Sequence, residues 1–246
     1  MLFVKVFHAI LRCNKEGTNL NILAMYAHPD DVECCSAGTL LKYKKAGHKI
    51  YIALTTSGNT GSNEMHSREE IAETREAEML ESAKHLDAEV MFLRFEDESL
   101  FDTPETRRAV LTAIRWANPD VILTHNPRDF STDHNVTAKL VTEVLLSVGG
   151  KHHHADLPPI DKKPHVFFEG TKCFVDITEE FETKMKMLRC HKSQVGWMET
   201  FYDGKDFTEH ISAQSKMYGI WSGSTYAEGF EAHKVLGYVA DYRLLP

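Results

Sequence analysis

Four short apolar runs, each followed by a stretch with helical spacing, constrain the fold of this chain more than any other feature of its sequence. Residues 20–27 read as a buried strand and 36–46 as a helix closed by Gly47. The cycle repeats with "HKIYIALTT" as a second strand, the turn-rich "SGNTGSNEMHS", and a helix predicted over 68–86. Further strands are expected at 89–95 and 120–125, with helices at 105–117 and 134–148. Strands that alternate with helices require right-handed crossovers, so the expectation is an α/β fold with a mostly parallel sheet. Such sheets gather ligands beyond the carboxyl ends of their strands. Both "AHPDD" and "LTHNPRDFSTDH" fall there.

After Gly149 and Gly150, the polar loop "KHHHADLPPIDKKPH" precedes strand-like "VFFEG" and "KCFVDI" and a helix expected over 179–191. The remainder is expected to form a small helical and irregular cap. No repeat or linker divides 19–246, which is read as one domain, with 1–18 as an N-terminal extension. Lys5 and His8 interrupt the apolar character of that extension, and no small-residue cleavage site follows, so it is not read as an export signal.

Hydrophobic residues make up 42% and charged residues 26% of the 246, the balance of an ordinary globular protein. No apolar run approaches the length that spans a bilayer. A net charge of −8, with Lys and Arg scattered, argues against nucleic acid as a partner. Five cysteines without CxxC spacing, two of them adjacent at Cys34 and Cys35, make no disulfide framework. A reducing cytoplasm is the simpler location.

A nucleotide-binding first strand would lead into a glycine-rich turn whose amides approach phosphate, and none follows Ala27. The turn offers ligands instead. Asp30 and Asp31 point in different directions from adjacent positions, so beside the His28 imidazole one carboxylate can bind a cation and leave the other free. A catalytic zinc site uses about three protein ligands and keeps one position open. His28 and Asp31 supply two, and His134, after the fourth strand, is the best placed third. This set suits zinc, while manganese, cobalt or iron are compatible with the same ligand types. The competing reading is that the Asp pair only caps a helix and the lone histidine binds nothing. His152, His153 and His154 are consecutive in a solvated loop and do not converge well on one ion.

"AHPDDVE", then "GTL", "TSGNTG", "TREAEMLESAKHL", "STDHN", "DITEEFETKMKMLRCHKSQ" and "YAEGF" resemble, in this order, segments of the LmbE-like, or PIG-L-like, N-acetylglucosaminyl deacetylases. The resemblance spans 21–230. It implies a Rossmann-like sheet and a zinc hydrolase that removes acetyl from a small N-acetylated sugar or its conjugate. On this resemblance His28, Asp31 and His134 are similar to the zinc ligands, and Asp30 to the general base that takes a proton from the attacking water. The family often assembles into homo-oligomers.

One departure concerns the oxyanion. Ser131 opens "STDH" where many members carry a histidine, and His191 of "CHKSQ" is either its replacement or a cap on its own helix. Asp133 either orients a neighbouring group or caps the helix that follows. Arg75 matches a family arginine that contacts substrate, the alternative being a helix pair with Glu76 or Glu78. Asn59 lines the pocket or forms the turn, and Glu228 matches a segment near the family's substrate pocket. Hydrolysis of another bond, such as an ester or phosphoester, and a silent sugar-binding relative are the competing functions. Retention of both Asp30 and Asp31 favours chemistry over binding alone.

Overall fold

Period-two burial along the first strand sets the architecture. In the computed structural model, which describes residues 19–201, 204 and 206–234, β1 (Asn21–Tyr26) sends Ile22, Ala24 and Tyr26 into one hydrophobic cluster and Leu23 and Met25 into another. A strand buried on both faces belongs to a parallel sheet covered by helices on each side. The extension at 1–18 lies outside the described residues.

From β1 the chain runs through α1 (Asp31–Cys35) and α2 (Ala37–Lys45) to β2 (Lys49–Thr56), then α3 (Arg68–Ala83), β3 (Glu89–Phe95), α4 (Pro104–Ala117) and β4 (Val121–Thr124). It continues through α5 (Thr132–Val144), β5 (His165–Asp176), α6 (Phe181–Leu188), α7 (Lys192–Phe201) and α8 (Phe207–Ser222) to β6 (Ala227–Ala232). The sheet order is β3-β2-β1-β4-β5-β6, parallel except for the β5–β6 pair. Leu40, Met79, Met185 and Ile211 bring α2, α3, α6 and α8 to the first cluster, while Ile114 and Val141 bring α4 and α5 to the second. Each such side chain contributes about 1.5–3 kcal/mol by leaving water.

The topology positions the site. The chain moves from β1 outward to β2 and β3, then returns to place β4 on the other side of β1. The strand order reverses between β1 and β4, which opens a crevice beyond their carboxyl ends. His28 follows β1 and His125 follows β4, so both segments singled out in the sequence meet at this crevice.

Several boundaries differ from the sequence expectation. Ser36, with φ −145°, separates the single turn of α1 from α2, so the first crossover holds two helices. "VFFEG" and "KCFVDI" form one strand, β5, whose pairing is irregular between Glu169 and Cys173. The helix expected over 179–191 stops at Leu188, because the His191 carbonyl already accepts the Gln194 and Val195 N–H groups that open α7. The C-terminal part is more than a helical and irregular cap: β6 joins the sheet as an antiparallel edge. Its sequence, Ala-Glu-Gly-Phe-Glu-Ala, has little β propensity, and the strand exists because β5 offers it a ladder. No helix among the described residues is long and apolar enough to cross a membrane.

Candidate metal centre and active site

Three side chains from two strand ends converge in the crevice. His28 Nδ1 lies 3.2 Å from Asp31 Oδ2 and 3.2 Å from His134 Nε2, and His134 Nε2 lies 3.4 Å from Asp31 Oδ1. Donors of a tetrahedral site with bonds of about 2.0–2.1 Å stand about 3.3 Å apart, so this nitrogen and oxygen set fits a zinc-sized divalent ion. Asp31 is fixed by the His28 backbone N–H, which donates to Oδ2 at 2.7 Å.

Each histidine is turned inward by a carboxylate behind it. His28 Nε2–H donates to Asp97 Oδ1 at 2.9 Å, with Asp133 Oδ2 at 3.5 Å, and His134 Nδ1–H donates to Asp129 Oδ1 at 3.0 Å. Such partners fix the ring and raise its basicity, leaving the other nitrogen to face the centre. His125 stacks on His134 with ring centroids 3.7 Å apart and planes 6° from parallel. Burial, against the pull of Asp31, lowers its pKa to about 4, so it stays neutral beside the trio.

The trio is built to hold positive charge. Burial opposes protonation of His134, but Asp31 and then Asp129 outweigh it and raise its pKa to about 9. His28 rises well above its ordinary value for the same reason, with Asp31 again the main partner outweighing burial. Burial works against the Asp31 charge, yet His134, His125 and His28 hold this carboxyl well below the usual range.

Asp30 stands outside the trio. Its backbone has φ 124° and ψ −24°, a left-handed conformation that costs a non-glycine residue free energy and is typical of functional turns. Its Oδ1 lies 3.3 Å from Arg75 Nη2. Arg75 is 3% exposed and also donates to the Pro29 carbonyl at 2.7 Å and the Gly58 carbonyl at 2.8 Å. A Cβ at Gly58 or Gly61 would collide with this guanidinium, which accounts for both glycines of "TSGNTG". Burial pushes the Asp30 carboxyl up to about 6, with Arg75 holding it back. Glu76 pairs instead with Arg94, and Glu78 accepts from Ser193, so the helix pair considered for Arg75 does not form.

The remaining sequence candidates divide. Asp133 accepts the Glu98 N–H at 2.7 Å and lies 3.5 Å from His28 Nε2, while the cap of α5 is Ser131. Asn59 does not line the cavity; it donates to Glu96 and accepts the Asp97 N–H at 3.2 Å, which fixes the residue behind His28. His191 is fully buried 3.1 Å from Glu33 Oε2 and is not among the residues of the cavity wall. It sits in the turn between α6 and α7, which excludes it as the cap of a longer helix. Glu228 is not on the wall of the main cavity: it accepts from the Gly38 and Thr39 amides and from Lys184 Nζ, in a small adjoining space that shares Cys34, Cys35, Glu169 and Gln214 with that cavity. Placement of "YAEGF" in β6 turns this carboxylate onto the start of α2. Asp97, Asp129 and His125 were not singled out from sequence, although each closely follows a parallel strand, and that position alone would have flagged them.

The inward-facing His-Asp-His set lies where the strand order of this α/β sheet reverses, at the carboxyl ends of β1 and β4. The chain belongs to the PIG-L family, GlcNAc-PI de-N-acetylase, whose model matches residues 23–145. It is 29% identical over 220 residues to a diacetylchitobiose deacetylase of Thermococcus kodakarensis, covering 85% of this chain and 81% of that one. A probable N-acetyl-alpha-D-glucosaminyl L-malate deacetylase 2 of Bacillus anthracis is 26% identical over 194 residues, covering 71% and 81%. In fold it is similar to the N,N'-diacetylchitobiose deacetylase of Pyrococcus horikoshii, with TM-score 0.77, 24% identity and coverage of 94% and 91%.

Proposed function

We propose that the protein is a zinc-dependent N-deacetylase acting on an N-acetylglucosamine unit, free or conjugated. The observation that carries this reading is a pair of adjacent carboxylates with separate duties: Asp31 joins His28 and His134, while Asp30 is held apart on Arg75. The curated relatives described above, both deacetylases by name, support the reaction class. His28, Asp31 and His134 would hold a divalent ion, which would supply a Lewis acid and make water a nucleophile near neutral pH.

The chain's own residues handle the proton. Asp30 Oδ1 faces Arg75, which leaves the other oxygen to take a proton from the water that attacks the acetyl carbonyl carbon. Asp30 then returns it to the amine nitrogen as the C–N bond breaks and acetate leaves. Asp97, Asp129 and Asp133 hold the imidazoles in place through the cycle. Ser131 lines the cavity beside His134, and its hydroxyl, like that of Thr132, is within the wall that the carbonyl oxygen would face.

The purified protein is expected to bind about one zinc per chain, as a site with one open position does, and to release acetate from N-acetylglucosamine compounds. Chelation should abolish release and zinc should restore it. Metal-loaded protein that frees no acetate from any such compound overturns the reading.

Arg75 sets a pH dependence. Its cation favours the charged form of Asp30, and the base works only when deprotonated. Removing that cation raises the Asp30 pKa, so the acid limb of kcat/KM should move to higher pH in Arg75→Met, with Arg75→Lys between the two. An unmoved limb in rate profiles of the zinc-loaded variants would detach Arg75 from the base.

A further inference from the structure

The deacetylase reading uses only part of the cavity. That cavity has a volume of about 740 Å³, at the scale that accommodates drug-sized ligands rather than one monosaccharide. Beyond the trio it is completed by the C-terminal helices, with Trp197 and Met198 from α7 and Phe207 and Ile211 from α8. Phe207 and Ile211 belong to the hydrophobic cluster on the first face of the sheet, and Met198 packs against it. This wall is therefore anchored in the core and already formed.

The charge of the cavity limits what can lie there. Of the described residues that line it, Arg75 alone is an Arg or Lys, and its guanidinium is committed to Asp30 and two carbonyls. The ionisable oxygens are acidic: Glu98, Asp129 and Glu169 share the wall with the Asp residues of the centre. Gln194 and Gln214 are neutral, and burial pushes the Cys34 thiol well up, so it is uncharged as well. His210 adds an imidazole to the α8 side. On the α7 and α8 side, beyond the centre itself, an anionic substituent would lose its water without gaining a fixed cation, a costly transfer. A neutral apolar one would exchange water for Trp197 and Met198.

We propose that this region is an aglycone subsite for a neutral, apolar aryl or alkyl substituent on the N-acetylglucosamine unit, with Trp197 and Met198 as its specificity-determining contacts. The inference rests on the deacetylase reading for its reaction but not for its binding.

Three substrates test it with zinc-loaded protein: para-nitrophenyl N-acetyl-β-D-glucosaminide, N,N'-diacetylchitobiose and the N-acetylglucosaminyl malate conjugate, each against free N-acetylglucosamine. The aryl glycoside should exceed the free sugar in kcat/KM by about tenfold or more, the discrimination a filled apolar pocket provides. The malate conjugate should gain nothing over the free sugar. In Trp197→Ala/Met198→Ala the aryl-to-free ratio should collapse towards one, and Met198→Lys should shift preference to the malate conjugate. Preference for chitobiose or malate in the wild type, or an unchanged ratio in the double variant, overturns the proposal. Calorimetric titration with para-nitrophenyl β-D-glucosaminide, the aryl product, against glucosamine reads the subsite without turnover. Aryl binding that depends on Trp197, with no acetate released from anything, would sink the reaction and leave the subsite standing. Aryl binding no tighter than glucosamine sinks the subsite whatever the activity.

Discussion

Asp30→Ala is expected to keep the bound cation and lose turnover by roughly 10²–10⁴-fold, the range a positioned general base supplies. The three donors that face one another belong to His28, Asp31 and His134, and none of their contacts passes through the Asp30 carboxylate. Arg75 would still be held by the Pro29 and Gly58 carbonyls, so the loop keeps its anchor. The backbone strain at φ 124° remains in the alanine variant, because alanine also carries a Cβ, but the buried Arg75 guanidinium loses its carboxylate partner, so some loss of stability is expected beside the loss of turnover. His28→Ala is the matched control and should lose both metal and activity. Metal content, a thermal melt and acetate release on the same preparations separate the two roles. Full activity of Asp30→Ala across pH would remove Asp30 as the base.

What the sequence made legible follows from the range over which each signal acts. Alternating runs located the strands of the parallel sheet, because buried strands are continuous apolar stretches bounded by turn residues. The 89–95 strand appears with those same limits. The convergence of His28, Asp31 and His134 was also readable, since a doubly wound sheet brings consecutive strand ends to one edge. The carboxylates behind the histidines were not. Their position after β3 and β4 marks Asp97 and Asp129 as near the site, but which histidine each one holds depends on distances set by the packing of β3 and α5. Asn59 and His191 illustrate a different limit: a motif gives a residue's place along the chain but not its direction, and these side chains turn to Asp97 and Glu33. β6 escaped because its strand character is imposed by the β5 edge rather than by its residues.

The contacts of Glu228 have a measurable consequence, and it bears on how α2 is held. Its carboxylate accepts Gly38 N–H at 2.9 Å and Thr39 N–H at 2.7 Å, two first-turn amides that no intrahelical carbonyl can satisfy. It also meets Lys184 Nζ at 2.7 Å, and the two side chains are 2% and 1% exposed. Glu228→Ala would strand that ammonium with only the Cys34 carbonyl at 3.0 Å. Removing one partner of a buried pair costs about 3–5 kcal/mol, because the remaining charge keeps its desolvation penalty. Lys184→Met should be destabilising too, but Glu228→Gln/Lys184→Met should recover much of the loss, since an amide can still accept from one α2 N–H and no charge is left alone. Denaturant unfolding of the three variants measures this. A substrate contact predicts the opposite pattern, with KM raised and unfolding unchanged in Glu228→Gln. Because α2 follows directly on the α1 turn that carries Asp31, loss of the clamp should weaken the metal centre only through the fold, with metal affinity falling in step with stability across the variants.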